Sequence, residues 1–134
     1  MIAIETIPAE LGIAVSWEQQ GGSHWIASEA IDVRKVTELM KAREARFISI
    51  TAIQIPDEED IVMDYHWDLG GELLSFEVPV KDKQMPSIVD LCEAADWIER
   101  EIHEHYAIGF IGREYEPLLL RKGDTVGVNL REED

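Results

Sequence analysis

Apolar and polar residues recur along this chain with two different periods, and each change of period marks an element. Val33, Val36, Leu39 and Met40 recur at three- and four-residue intervals. That is one face of a helix, and Asp32 can accept from the free backbone N–H groups at its start, so the pattern predicts a helix over residues 31–43. From residue 61 the period becomes two. Ile61, Met63, Tyr65 and Trp67 fall on one side, and Val62, Asp64, His66 and Asp68 on the other. This predicts a half-buried antiparallel strand over 61–68. Gly70-Gly71 allows the positive φ of a tight hairpin. The returning strand, over 73–80, carries Leu74, Phe76, Val78 and Val80 on one face. Pro79 has no N–H to donate, so it belongs at that strand's end or at a sheet edge. Before the hairpin, residues 47–55 are rich in Ile and Thr and read as a mostly buried strand, followed by the acidic turn Pro56-Asp57-Glu58-Glu59-Asp60.

Weaker signals frame this centre. Ile7-Pro8-Ala9-Glu10-Leu11 can open a short helix, since proline is tolerated in a first turn. Gly21-Gly22-Ser23 is a turn, and His24-Trp25-Ile26-Ala27 is a short strand. Ile88, Leu91, Cys92, Ala95, Ile98 and Ile102 form a last apolar stripe, predicting a helical region from Pro86 to about Tyr106. Its opposite side carries Glu93, Asp96, Arg100 and Glu104. Beyond it Gly109, Gly112, Pro117, Gly123 and Gly127 punctuate an extended loop with short strands. The sum is an α+β fold of two layers: a mainly antiparallel sheet with helices packed on one face. One domain over residues 1–134 is expected, with a short acidic tail at 131–134.

Composition changes this picture in one respect. At 134 residues with 46% hydrophobic and 30% charged side chains, the chain is an ordinary globular mix. Its formal net charge, however, is −16. Nucleic acid and anionic bilayers are bound by neutralising their charge with Lys and Arg, so both are disfavoured, and a basic protein partner is left open. The N-terminus lacks the pattern of a signal peptide, and no apolar run approaches the ~20 residues of a membrane span. A cytoplasmic protein that reaches a membrane only through partners is expected.

Candidate chemistry is sparse. The single cysteine, Cys92, cannot form an internal disulfide or supply the roughly four thiolates of an iron–sulfur cluster, and it reads as a small buried hydrophobe. Gly21-Gly22 has the spacing neither of a P-loop nor of a dinucleotide fingerprint, and no serine sits in a nucleophile elbow. His103 and His105 are two apart, so on a helix they point roughly 200° from each other rather than along one face. His66 could join one of them around a metal, but nothing in the pattern requires it. Asp64, His66 and Asp68 share a strand face, either as an acid–base cluster or as a solvated surface. The run from Trp97 to Tyr106 reads either as a surface helix with one-turn ion pairs such as Arg100 with Glu104, or as a recognition surface centred on Arg100.

The run Pro86-Ser87-Ile88, then Ala95-Asp96-Trp97-Ile98-Glu99-Arg100-Glu101, then Phe110-Ile111-Gly112 resembles the signature of the 30 kDa subunit of NADH–quinone oxidoreductase (complex I) and of its counterparts in membrane-bound [NiFe] hydrogenases and formate hydrogenlyase. Glu104 matches the family's acidic position, Tyr106 the aromatic before the loop and Ile108 the apolar residue within it. The departures are Ala107 where glycine is usual, His103 in place of an aromatic, and Arg113-Glu114-Tyr115 in place of His-Pro-Asp. The basic pair that commonly follows is replaced by Glu116-Pro117-Leu118-Leu119-Leu120. The Ile-His-Glu run tilts the resemblance towards the hydrogenase type.

The resemblance implies a non-catalytic structural and assembly protein that binds no cofactor of its own. Such a protein docks on a large catalytic subunit, of the hydrogenase or 49 kDa quinone-site type, and near an iron–sulfur subunit. The iron–sulfur clusters, and nickel–iron in a hydrogenase, belong to those partners. It also implies a docking surface drawn from Trp97, Glu99, Arg100, Glu101, His103, Glu104, Tyr106, Phe110, Gly112 and Arg113. Two alternatives stand beside it: a small metal-dependent enzyme using His66, His103 or His105, and a free-standing acidic adaptor.

Overall fold

The computed structural model describes residues 4–54 and 60–113. Its elements in chain order are helix α1 (Ile7–Glu10), strands β1 (Glu18–Gln20) and β2 (Ser23–Ala27), helix α2 (Val33–Ala42), strands β3 (Arg46–Gln54), β4 (Ile61–Leu69), β5 (Glu72–Pro79) and β6 (Gln84–Pro86), a 3-10 turn at Glu93–Ala95, helix α3 (Asp96–Tyr106) and strand β7 (Gly109–Ile111). Five strands form one sheet in the order β1-β2-β5-β4-β3, and β6 and β7 pair separately in parallel. The expected α+β architecture, with a mainly antiparallel sheet, is what forms. The acidic turn at 56–59, the stretch after Arg113 and the tail at 131–134 lie outside the described residues.

The three-strand meander follows from the hairpin chemistry. Gly70 and Gly71 take φ of +59° and +94°, a combination that only glycine adopts freely, and β4 and β5 pair from Leu69↔Glu72 outward to Val62↔Pro79. Pro79 is the last residue of β5, where its missing N–H costs no ladder bond. β2 adds a parallel edge to β5, in the register Ser23↔Leu73 to Ala27↔Glu77. Short-range pattern could not reveal this pairing, because its partners are 50 residues apart.

The core lies on the face that presents Met63, Tyr65, Trp67, Leu74 and Phe76, all buried. α2 sets Val33, Val36 and Met40 into it, and is capped by Asp32, whose side chain accepts from Arg34 N at 3.0 Å. The expectation of a mostly buried β3 is corrected. It is the outer strand beyond β4, and of its nine residues only Ile50 is buried.

The expected helix from Pro86 is also corrected. Pro86 ends β6, and regular helix begins only at Asp96. Two bonds hold the chain out of helix there. Ser87 N donates to Ile111 O at 2.9 Å, and Ile88 N donates to the Glu99 carboxylate at 2.9 Å. Backbone N–H groups taken by a strand and by a distant side chain cannot start a helical ladder. The stripe residues Ile88 and Ala95 are still buried, so the apolar signal marked burial without helix. Cys92, in the same segment, is only partly buried.

Candidate docking site around the Glu99–Arg113 clamp

The motif residues converge at the start of α3. Glu99 points inward and is 0% exposed. Its Oε1 accepts from Ser87 Oγ at 2.6 Å and from Arg113 Nη1 at 3.2 Å, and its Oε2 accepts from Ile88 N. Arg113 also donates through Nη1 to the Asp96 carbonyl at 3.2 Å and through Nη2 to the Asp96 carboxylate. Its side chain is 5% exposed. Arg100 Nε reaches the same Asp96 carboxylate at 3.2 Å. Burial acts to raise the Asp96 carboxyl, but the hydrogen bonds and charges of Arg113 and Arg100 outweigh it and hold the group below its ordinary range. The Tyr65 phenol, on the core face of β4, is pushed up by burial and by the Glu99 charge. The cluster ties β6, α3 and the end of β7 into one unit.

This geometry sorts the ten residues expected to form a docking surface. Glu99, Glu104, Phe110 and the Arg113 side chain are inside, so they brace the site and cannot form its surface. Trp97 is 61% exposed, Glu101 and Gly112 are exposed, and Arg100, His103 and Tyr106 are partly so. The expected Arg100–Glu104 pair does not form. Glu104 faces inward, and Arg100 turns back to Asp96. Ser87 and Asp96, hydrogen-bonding members of the cluster, carried no signal beyond their place in the motif. Ile111, 59% exposed, is a surface residue that sequence reasoning passed over. Arg113 clasps Asp96, so the segments that bear Trp97 and Ile111 both meet the start of α3.

Among the described residues, the histidines of the metal alternative are held by other partners or line a groove. Among the described residues no three His, Cys, Asp or Glu side chains are placed to hold a metal ion. His66 lies between Thr51 Oγ1 at 3.2 Å and Ser75 Oγ at 2.8 Å, and burial lowers its pKa. His103 Nδ1 bonds the Ile108 carbonyl at 2.9 Å. His105 lines a groove of about 290 Å³ between α3 and β3 with Glu101, Tyr106 and Thr51. Asp64, His66 and Asp68 share a face as expected but do not act as a cluster. Asp68 pairs with Arg46, and Asp64 sits opposite Glu77.

Ala107 closes α3 in the left-handed region at φ +58°, with its N–H bonded to His103 O at 3.0 Å. An alanine Cβ is strained there and glycine is not. Ala107→Gly is therefore expected to stabilise the domain by about 1 kcal/mol. A urea titration followed by circular dichroism checks it, and a lowered midpoint would contradict the strain argument.

Known proteins share this fold. Residues 26–134 match the family described as "Respiratory-chain NADH dehydrogenase, 30 Kd subunit". The C/D subunit of an NADH-quinone oxidoreductase from Bacteroides thetaiotaomicron is 31% identical over 75 residues, 52% of this chain and 14% of that relative. The matched region is thus a small part of that relative's length. Among solved structures, the trypsin-resistant fragment of Nqo5 superposes with a TM-score of 0.62 at 19% identity, covering 75% of this chain and 88% of the fragment. A chain of the membrane-bound sulfane sulfur reductase, an archaeal respiratory membrane complex, gives 0.65 at 20% identity, covering 84% and 71%. The likeness to both structures is one of fold. With more than half of its length matched by the family, the chain belongs to the respiratory-chain NADH dehydrogenase 30 Kd subunit family.

Proposed function

We propose that this chain is a non-catalytic docking and assembly subunit in the hydrophilic arm of a membrane-associated oxidoreductase, of NADH–quinone oxidoreductase or energy-converting hydrogenase type. It packs on the large catalytic subunit and neighbours an iron–sulfur subunit. Those partners carry the redox groups, and they hold this chain at the cytoplasmic face of the membrane. The relative's name, the C/D subunit of an NADH-quinone oxidoreductase, and the respiratory membrane complex among the fold neighbours support the reading. No helix among the described residues is long and apolar enough to cross a membrane.

The observation that carries the reading is two exposed large apolar side chains on the segments that Arg113 joins. Trp97 and Ile111 are each about 60% exposed, and the segments that bear them are tied by the Arg113–Asp96 pair and the buried Arg113–Glu99 pair. An exposed tryptophan is the kind of residue that dominates protein interfaces, where its loss costs about 2 kcal/mol or more. Trp97→Ala should leave the isolated fold within ~0.5 kcal/mol of the parent, as surface substitutions do. It should weaken partner retention by about 30-fold, the equivalent of 2 kcal/mol. Tagged parent and variant, purified gently from membranes of the native cell, supply the measurement through mass spectrometry of what accompanies each. Recovery of the parent chain alone, from membranes and soluble extract alike, would sink the docking reading, as would undiminished retention by the variant.

A further inference from the structure

The face of the sheet away from the core carries a feature that the clamp does not use. Directly paired residues point to the same side of a sheet. The registers therefore place Thr51, Asp64, Glu77 and Ala27 in one row across β3, β4, β5 and β2. Ser49, His66, Ser75 and Trp25 form the next row, with the Trp25 and His66 rings edge to face at 5.8 Å. Ile53 and Leu73, on the same side, are large apolar residues each 41% exposed. They lie in the rows of Val62 and Asp68, and six residues of strand separate those rows by about 20 Å.

Between these apolar ends stands an unusual acid. Asp64 is 2% exposed, and its Oδ1 is buried without a hydrogen-bond partner. Its cross-strand neighbour is a second carboxylate, Glu77. Among the described residues neither forms a salt bridge. Asp68 is answered by Arg46 and His66 by two hydroxyls, so the buried part of this face's uncompensated charge lies at the Asp64–Glu77 pair, with Glu18 exposed beside Trp25. A buried acceptor with no donor costs about 1–3 kcal/mol, and native structures generally supply one.

We infer that this outer sheet face is a second docking surface, and that its occupant is a segment of a partner subunit with apolar side chains around a Lys or Arg that reaches the Asp64–Glu77 pair. The acidic pair within an apolar frame, in a chain of net charge −16, selects a basic partner, whose arginine fork or lysine ammonium meets the partly exposed Glu77 beside the buried Asp64. In the free chain a proton takes the cation's place. Burial first, then the hydrogen bond and charge of Glu77, raise the Asp64 carboxyl to about 7. The inference needs a partner complex, as the proposed function does, but it concerns a different surface from the Trp97 end.

The test uses the complex recovered from the native cell. A photo-cross-linking residue is introduced at Ala27 or Ile53, both exposed on this face. The expected product joins either position to a partner peptide that contains Lys or Arg. Glu77→Lys, which supplies a cation within the chain, should cut that cross-link by at least about tenfold, the equivalent of 1.4 kcal/mol. Glu77→Gln, which keeps the shape, guards against a folding defect and should cut it several-fold. A cross-link indifferent to both substitutions, one to a peptide without a basic residue, one to a second copy of this chain, or none while partners still co-purify, overturns the inference and leaves the Trp97 docking reading standing. Recovery of the chain alone overturns both.

Discussion

Glu99→Ala should destabilise the domain by on the order of 3–5 kcal/mol, the range for breaking a buried ion pair from one side. The substitution strips acceptors from three donors at once: the Ser87 hydroxyl, the Ile88 N–H and one arm of Arg113. Arg113 keeps Asp96, but its guanidinium stays buried with less charge to answer it. The loss is a large fraction of the roughly 5–15 kcal/mol that holds a typical domain folded. Glu99→Gln should cost less, because one amide oxygen still accepts while the charge is gone. Urea unfolding of both variants, with Arg113→Met and the double variant closing the cycle, measures the coupling directly. A Glu99→Ala variant within about 1 kcal/mol of its parent would mean that water satisfies these groups and that the clamp is not structural.

This expectation separates two meanings of a motif. The Glu-Arg-Glu run stands out in the sequence, yet its three members have different work. Glu99 braces the interior, Arg100 is half at the surface, and Glu101 is fully outside. Spacing on a helix gives relative directions but not which direction is inward. That is decided by where β6 and the residues after it pass, which is long-range information. The same limit explains the misread helix at 86–95, where a buried stripe arose from a segment pinned by Ile111 and Glu99. Local chemistry was legible where it is self-contained: the Gly70-Gly71 turn, the Asp32 cap, and the two-residue alternation of β4. The alternation even sorted Asp64 onto the non-core face. It could not show that the residue opposite is Glu77, because that register is fixed by the hairpin only once β5 returns.

That pairing yields a pH dependence of definite sign. The Asp64 carboxyl stands at about 7 in the folded chain against an ordinary 3.8, raised by burial and then by the hydrogen bond and charge of Glu77. A folded-state value above the unfolded one means that folding takes up a proton. The stability so contributed is full below about pH 4, falls as pH rises towards 7 and is gone above it. A shift of this size sets the fall on the order of 4 kcal/mol. The groups facing Asp64 are Thr51 on β3, Val62 and His66 on β4 and Glu77 on β5, with no cation among them to reverse the sign. Asp68, Asp90 and Asp96 are held low by arginines and act in the opposite sense, but only as pH falls through the acid range. Between about 5 and 7.5 the other shifted group that titrates is His66, lowered by burial, whose contribution rises with pH and offsets part of Asp64's fall. Asp64→Asn keeps the shape, offers Glu77 an amide donor and removes the titration. Its urea midpoint should lose Asp64's fall, keep only the small rise that His66 contributes, and stand above the parent's at about pH 8. Parallel curves for the two proteins would show that Asp64 is already ionised in the free chain, and that its buried oxygen is answered by something other than a proton.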